Sequence, residues 1–405
     1  MAKQHDNLIN LKLYRNKAGQ IIKKIETLNG NKTTYTYRYD DRGRLTAVRL
    51  NRKLVEKYSY DSNGNRILAT SKRRGVINQL QSYTPDDQIK LIGQLEQTYD
   101  EDGYLKTKTL PDGESYTFTY GTRGELKETT TTTSTGSVTV ISYQHNALNQ
   151  RVSKEINGTT VEKYLWQDLT TLLAVYDKDN NLVQRFEYAD GRMPVAMTDG
   201  NGTKYYLHYD QVGSLRAISR VLSPDNTFEV IKEITYDTYG NIINDSNPTF
   251  RVPFGFAGGL YDADTKLTRF GYRDYDAYTG KWTAKDPIGF DGGDSNLYGY
   301  VLGDPVNLVD PSGLSGKKPL DLSPSAIRKV TFCKYAKKSC VVALNVTYPQ
   351  CTGIVCQLDI RSLFSDCLNN KLECGKDDDN NDDIKECDDG SIMDPINSII
   401  DYFND

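Results

Sequence analysis

The chain has 405 residues, 37% of them apolar, and its 50 Lys+Arg against 54 Asp+Glu give a formal net charge of −4. No run of 18 apolar residues offers a membrane-spanning helix, and the charge balance provides no electrostatic footprint for nucleic acid or an anionic membrane. The apolar share lies below the roughly 45–50% usual in compact domains, which argues against a large dry core, and the length predicts two or more folding units.

The chain opens Met-Ala-Lys-Gln-His-Asp-Asn, which lacks the apolar core of a secretory signal, so export is expected to use another route. The 29 Tyr outnumber the 11 Phe and 2 Trp together. Tyrosine suits strands with one wet face, because the ring packs while the hydroxyl stays hydrogen-bonded. Residues 1–250 hold an imperfect repeat, Tyr-x-Tyr-Asp-x-x-Gly-x-Leu. It occurs at Tyr37, Tyr39, Asp40, Gly43 and Leu45, and again at Tyr58, Tyr60, Asp61, Gly64 and Ile67. Looser copies follow at Tyr99-Asp100 with Gly103, Tyr120 with Gly124, Tyr209-Asp210 with Gly213, and Tyr236-Asp237 with Gly240. Alternating residues such as Thr34-Tyr35-Thr36-Tyr37 predict a strand, and Asp-x-x-Gly predicts a tight turn with Gly at positive φ. Since one hairpin is marginal in water, the units are expected to stack into one antiparallel sheet.

Residues 251–314 carry the densest motif set: Phe254-Gly255-Phe256, Arg273-Asp274-Tyr275-Asp276, Asp286-Pro287-Ile288-Gly289, Asn296-Leu297-Tyr298, Asp304-Pro305 and Asp310-Pro311-Ser312-Gly313-Leu314. The repeat together with this segment resembles the Rhs/YD-repeat polymorphic toxin family, whose relatives include bacterial wall-associated toxins, the C components of insecticidal toxin complexes, and teneurins. The resemblance implies a mainly β fold, an antiparallel hairpin spiral forming a partial hollow shell around a variable C-terminal cargo. It also implies that residues 251–314 are an intramolecular aspartyl protease. Asp286 and Asp310 would be the two acids, Arg273 the assisting cation, and Leu314–Ser315 the bond cut. The chemistry has a physical basis: close carboxylates do not both ionise, so one can polarise the carbonyl while the other activates water. A nearby guanidinium can hold the ionised partner. No cofactor is implied. Asp274 and Lys281 depart from the family pattern, and Asp304 is read as a turn residue. His208 and Asp210 fall on the repeat, which favours a turn over an acid–base pair.

Residues 315–405 occupy the place of the variable effector. They hold all seven cysteines (Cys333, Cys340, Cys351, Cys356, Cys367, Cys374, Cys387) and none of the three histidines. The lack of His removes serine–histidine and cysteine–histidine mechanisms. The cysteine density favours up to three disulfides and one free thiol, with a metal site or reduced thiols as alternatives. Asp377, Asp379, Asn381, Asp383 and Asp388 partly match a calcium loop, but Asp382 replaces its Gly, so a solvated acidic linker is the preferred reading.

The leading expectation is therefore a bacterial toxin that encloses and releases its effector, made in the cytoplasm and secreted without a classical signal or held at the cell surface. Its expected partners are a cognate immunity protein and a secretion-system or shell-completing component. The alternative is a non-enzymatic surface or adhesion scaffold. A period of ~21 residues predicts about 15 repeats and about 30 strands, a belt ~46 Å across. Strands of about seven residues make that belt only ~23 Å tall, which predicts a truncated or orphan portion of a shell, or one that a partner completes.

Overall fold

The computed structural model describes residues 8–189, 191–222 and 227–316. Twenty-two strands, from Ile9–Arg15 to Ile242–Asp245, form one meander in which every strand pairs antiparallel with its sequence neighbours. The sheet is not closed: among the described residues no ladder joins its first strand to its last. A second sheet of four short strands (Leu260–Tyr261, Leu267–Phe270, Arg273–Asp276, Lys281–Trp282) follows. The total falls short of 30 strands because residues 246–314 do not extend the meander. They fold into this small sheet and a series of tight turns.

The repeat residues each have a physical task. Asp40 accepts the backbone N–H groups of Arg42 and Arg44 at 3.1 and 2.9 Å, and Gly43 sits at φ 83°, a conformation costly for any residue with a Cβ. Asp61, Asp210 and Asp237 make the same pair of bonds. The tyrosine that ends a strand, before Asp in the tight copies of the repeat, latches one hairpin to the one before it. Tyr39 donates to the Ile21 carbonyl, Tyr60 to Leu45 and Tyr188 to Leu172, each at 2.7 Å, and Tyr83 donates to Arg66 at 3.0 Å. Phenylalanine would fill the space and leave those carbonyls unpaired.

The residue two after the turn glycine points inward, and Leu45, Leu126 and Leu215 are wholly buried there. Burying each contributes about 1.5–3 kcal/mol. The second copy corrects the sequence reading: Arg66, not Ile67, takes the inward slot, and Ile67 is 39% exposed. The frame counts from the glycine, so Gly64-Asn65-Arg66 matches Gly43-Arg44-Leu45. Arg66 fills an apolar slot by lying against the rings of Tyr58 and Tyr239 and donating to the Thr279 carbonyl at 2.8 Å. Further turns of the series went unread because Asn replaces Asp or Gly: Asn16 with Gly19, Asn146 with Asn149, and Asp177 with Asn180.

The sheet curls until its early and late strands meet. Glu26 pairs with Arg216 at 2.6 Å, and the hydroxyls of Tyr60 and Tyr239 meet at 2.7 Å. Inward-facing residues also engage segment 254–310. The Ile21 N–H donates to Asn307 at 2.7 Å, the Leu105 N–H donates to the Thr283 carbonyl at 2.8 Å, and Lys154 pairs with Asp262 at 2.8 Å.

Burial alone would raise Glu26, but Lys24 and Arg216 hold its carboxyl below the usual range. Arg216→Met leaves that carboxylate buried against Lys24 alone and should cost about 3–5 kcal/mol. Arg220→Met breaks an equally short pair that is more than a third exposed and should cost at most about 1 kcal/mol. Denaturant midpoints of the two variants check the ranking, and equal shifts would contradict it.

Candidate functional site

Three residues far apart in sequence converge under the small sheet. Arg273 opens the strand Arg273–Asp276, Asp286 precedes the short 3₁₀ turn Gly289–Gly292, and Asp310 lies in the last turn series. Their exposures are 3%, 9% and 2%. One guanidinium nitrogen of Arg273, Nη2, lies 2.8 Å from Asp286 Oδ2 and 3.6 Å from Asp310 Oδ2. Its Nε donates to the Gly313 carbonyl and its Nη1 to the Leu297 carbonyl at 3.1 Å, while its central carbon Cζ lies 4.3 Å from the centre of the Trp282 ring. Each guanidinium nitrogen has a partner and one face lies on a ring, which fixes the orientation of the cation.

The segment before the expected cut is held against this cluster by its backbone. The Ser312 carbonyl accepts from the Tyr272 N–H at 2.8 Å, and the Leu314 N–H donates to Asp310 Oδ1 at 3.1 Å. Ser312 Oγ donates to the same oxygen at 3.2 Å. Gly313 has no room for a side chain, since a Cβ there would lie 2.4 Å from the Phe270 carbonyl oxygen. Leu314 and Ser315 are half-buried. A Cβ placed on Gly292 would lie 2.7 Å from both Asp286 Oδ2 and the Leu314 carbonyl oxygen, so those oxygens are at most about 5.4 Å apart, no more than one water can span.

Burial shifts both charged partners. It pushes the Arg273 guanidinium down to about 10, against the upward pull of Asp286 and Asp310, so it stays charged at neutral pH. It raises the Asp286 carboxyl above the ordinary aspartate value; Arg273 opposes that rise, and Asp310 adds to it when ionised. A raised carboxylate is a better proton acceptor near neutrality.

The two departures from the family pattern have structural tasks that sequence reasoning missed. Asp274 is fully buried and bridges Arg151 at 3.1 Å and Arg269 at 2.6 Å, tying the small sheet to the large one. Lys281 Nζ donates to Asn65 at 2.6 Å and to Asn296 at 3.0 Å, and burial pushes it down to about 7. The signal in both cases was the departure itself, a carboxylate at 274 and an ammonium at 281. Asp304 accepts from Asn307 and Gln20. Asp210 holds its turn, and His208 meets Ser219 at 2.9 Å. Among the described residues no group of three or more His, Cys, Asp or Glu could hold a metal ion. The cysteines and the calcium-loop candidates Asp377, Asp379, Asn381, Asp383 and Asp388 lie outside the described residues.

The profile of the teneurin YD-shell matches residues 1–300. Teneurin-3 of Mus musculus is 32% identical over 287 residues, which cover 69% of this chain and 10% of that protein. The tRNA3(Ser)-specific nuclease WapA of Bacillus spizizenii is 28% identical over 265 residues, covering 64% of this chain and 11% of the nuclease. The crystal structure of TcdB2-TccC3-Cdc42 aligns over 76% of this chain and 17% of that one, with 17% identity and a TM-score of 0.48. The chain thus spans about a tenth of the length of these curated relatives.

Removing the cation should expose the balance at Asp286. Arg273→Gln deletes the positive charge 2.8 Å away and leaves the burial, so the Asp286 pKa should rise further. A carboxyl-carbon NMR titration measures it, and an unchanged or lower value would contradict the reading.

Proposed function

The chain belongs to the teneurin YD-shell family, and from that premise we propose that it hydrolyses its own Leu314–Ser315 bond and so frees residues 315–405 as an effector. The observation that carries the proposal is the convergence of Asp286, Asp310 and Arg273 on the backbone of residues 312–314. Asp286, backed by Arg273, takes a proton from a water as that water's oxygen attacks the Leu314 carbonyl carbon. The two carboxyls share one proton, and in the reacting form Asp310, bonded to the Leu314 N–H, carries it and gives it to the carbonyl oxygen. As the tetrahedral intermediate collapses, Asp286 passes the water's proton to the Ser315 nitrogen, the carbon–nitrogen bond breaks so that the nitrogen leaves as an amine, and Asp310 takes back a proton from a hydroxyl of the intermediate. A carboxylate remains on Leu314. No cofactor enters the balance.

A toxin of this kind, made in the bacterial cytoplasm and exported without a classical signal, needs a cognate immunity protein in the producing cell and a secretion or shell-completing partner. The nuclease relative fits this reading, being named for an attack on tRNA. A second reading, a surface or adhesion scaffold without the cut, is favoured by the higher identity of the teneurin match.

A denaturing gel separates the two readings. The toxin reading expects fragments 1–314 and 315–405 from the wild type and a single full-length band from Asp286→Asn and from Asp310→Asn. An intact wild type with a folded sheet, or Asn variants that still cut at this bond, would refute it. The pH dependence carries a sign. Because Asp286 holds its proton to higher pH than an ordinary aspartate, cleavage should fail as pH drops through that raised value. A rate that holds down to the ordinary aspartate pKa would remove Asp286 from the role of base.

A further inference from the structure

Three glycines stand in or beside the short turn that follows Asp286, and they are glycine for different reasons. Gly289 and Gly293 take left-handed backbone, at φ 60° and 82°, with open space where a Cβ would go. Their lack of a side chain serves the dihedral. Gly292 does not have positive φ, so its backbone would accept any residue. Its position is crowded instead: a Cβ would lie 2.7 Å from Asp286 Oδ2 and 2.7 Å from the Leu314 carbonyl oxygen, closer than real Cβ contacts come.

Neither neighbour is free to yield. Asp286 Oδ2 is held by Arg273 at 2.8 Å, and its Oδ1 accepts the Ile288 N–H at 3.1 Å. The Leu314 oxygen belongs to backbone that is tethered through its own N–H to Asp310. A methyl at this point must part the carboxylate from the carbonyl, or one of them from its partner.

We infer that Gly292 is a positioning residue for the self-cleavage: by having no side chain it lets the 289–292 turn close until Asp286 and the Leu314 carbonyl stand one water apart. The inference rests on the proposed cut at Leu314–Ser315 and adds to it a residue that is no acid, base or cation. A displacement of about 1 Å between reacting groups costs on the order of 100-fold in rate, which sets the scale of the effect. The added methyl also displaces solvent from Asp286 Oδ2, so the acid limb of the pH profile moves to higher pH. A merely structural fault would not move it.

The experiment is a time course of cleavage of the full chain across pH, for the wild type, Gly292→Ala, Gly293→Ala and Gly191→Ala. Gly191 has open space around it and no left-handed backbone. We expect Gly191→Ala to cut like the wild type. Gly293→Ala, strained but clear of the site, should melt earlier and still cut within about threefold. Gly292→Ala should cut roughly 10–100-fold more slowly, with its acid limb shifted upward. Cleavage by Gly292→Ala within twofold of the wild type, or slowed with an unmoved acid limb, overturns the inference and leaves the proposed function standing. A wild type that never cuts overturns both. If Gly292→Ala does not fold, a crystal structure of the uncut Asp310→Asn protein decides the matter. Room for a Cβ at residue 292 beyond 3.4 Å from both oxygens overturns the inference, and contacts below 3 Å support it.

Discussion

A charge taken out of water needs a partner, and the fold is organised by where those partners come from. The inward faces of the large sheet carry Lys108, Arg151 and Lys154, and the carboxylates that answer them, Asp276, Asp274 and Asp262, all lie on segment 254–310. Losing one partner would strand a buried ion at a cost of about 3–5 kcal/mol. The segment therefore has one low-energy seat on the sheet. The Arg273 cluster inherits that fixity, because Arg273, Asp274 and Asp276 share one short strand.

The same economy explains the composition. A chain with 37% apolar residues and 29 tyrosines cannot fill its interior with aliphatic side chains alone. It uses a fully buried Leu or Ile at many of its turns, tyrosine rings whose hydroxyls end on a neighbouring carbonyl, and paired charges. Where the aliphatic slot is lost, as at Arg66, two tyrosine faces and a backbone carbonyl substitute for it. The low apolar share is thus the signature of a polar, hydrogen-bonded interior rather than of a weak one.

Much of this was legible in the sequence, because the repeat is local. The Asp-x-x-Gly turn, the alternating strands and the Leu two past the glycine are all set within nine residues, and the meander follows from adjacency. Asp286, Asp310 and Arg273 were legible only through resemblance, since their meeting depends on how three turns fold back. Asp274, Lys281 and Gly292 were not. Their partners lie on distant strands or, for Gly292, consist of an absence of space, and neither leaves a pattern in a linear chain. The strand number failed for a related reason: a fixed 21-residue period carried past residue 245 counts turns of the small sheet as further hairpins.

The degree of burial bears on what kind of chemistry such a cluster suits. With Arg273, Asp286 and Asp310 all less than a tenth exposed, a foreign polypeptide has no path to them. A bond in the same chain has no need of one, because residues 312–314 are already hydrogen-bonded to the strand turn and to Asp310. The entropy of bringing the bond to the carboxylates is spent in folding, and a water is the only molecule that must enter. The same burial sets the carboxylate's basicity. Dry surroundings raise Asp286, Arg273 restrains the rise, and the carboxylate stays both basic and oriented. A more open site would lose the raised pKa, and a site without the cation would lose the ionised form. The arrangement therefore fits a single cut in its own backbone better than turnover of an external substrate.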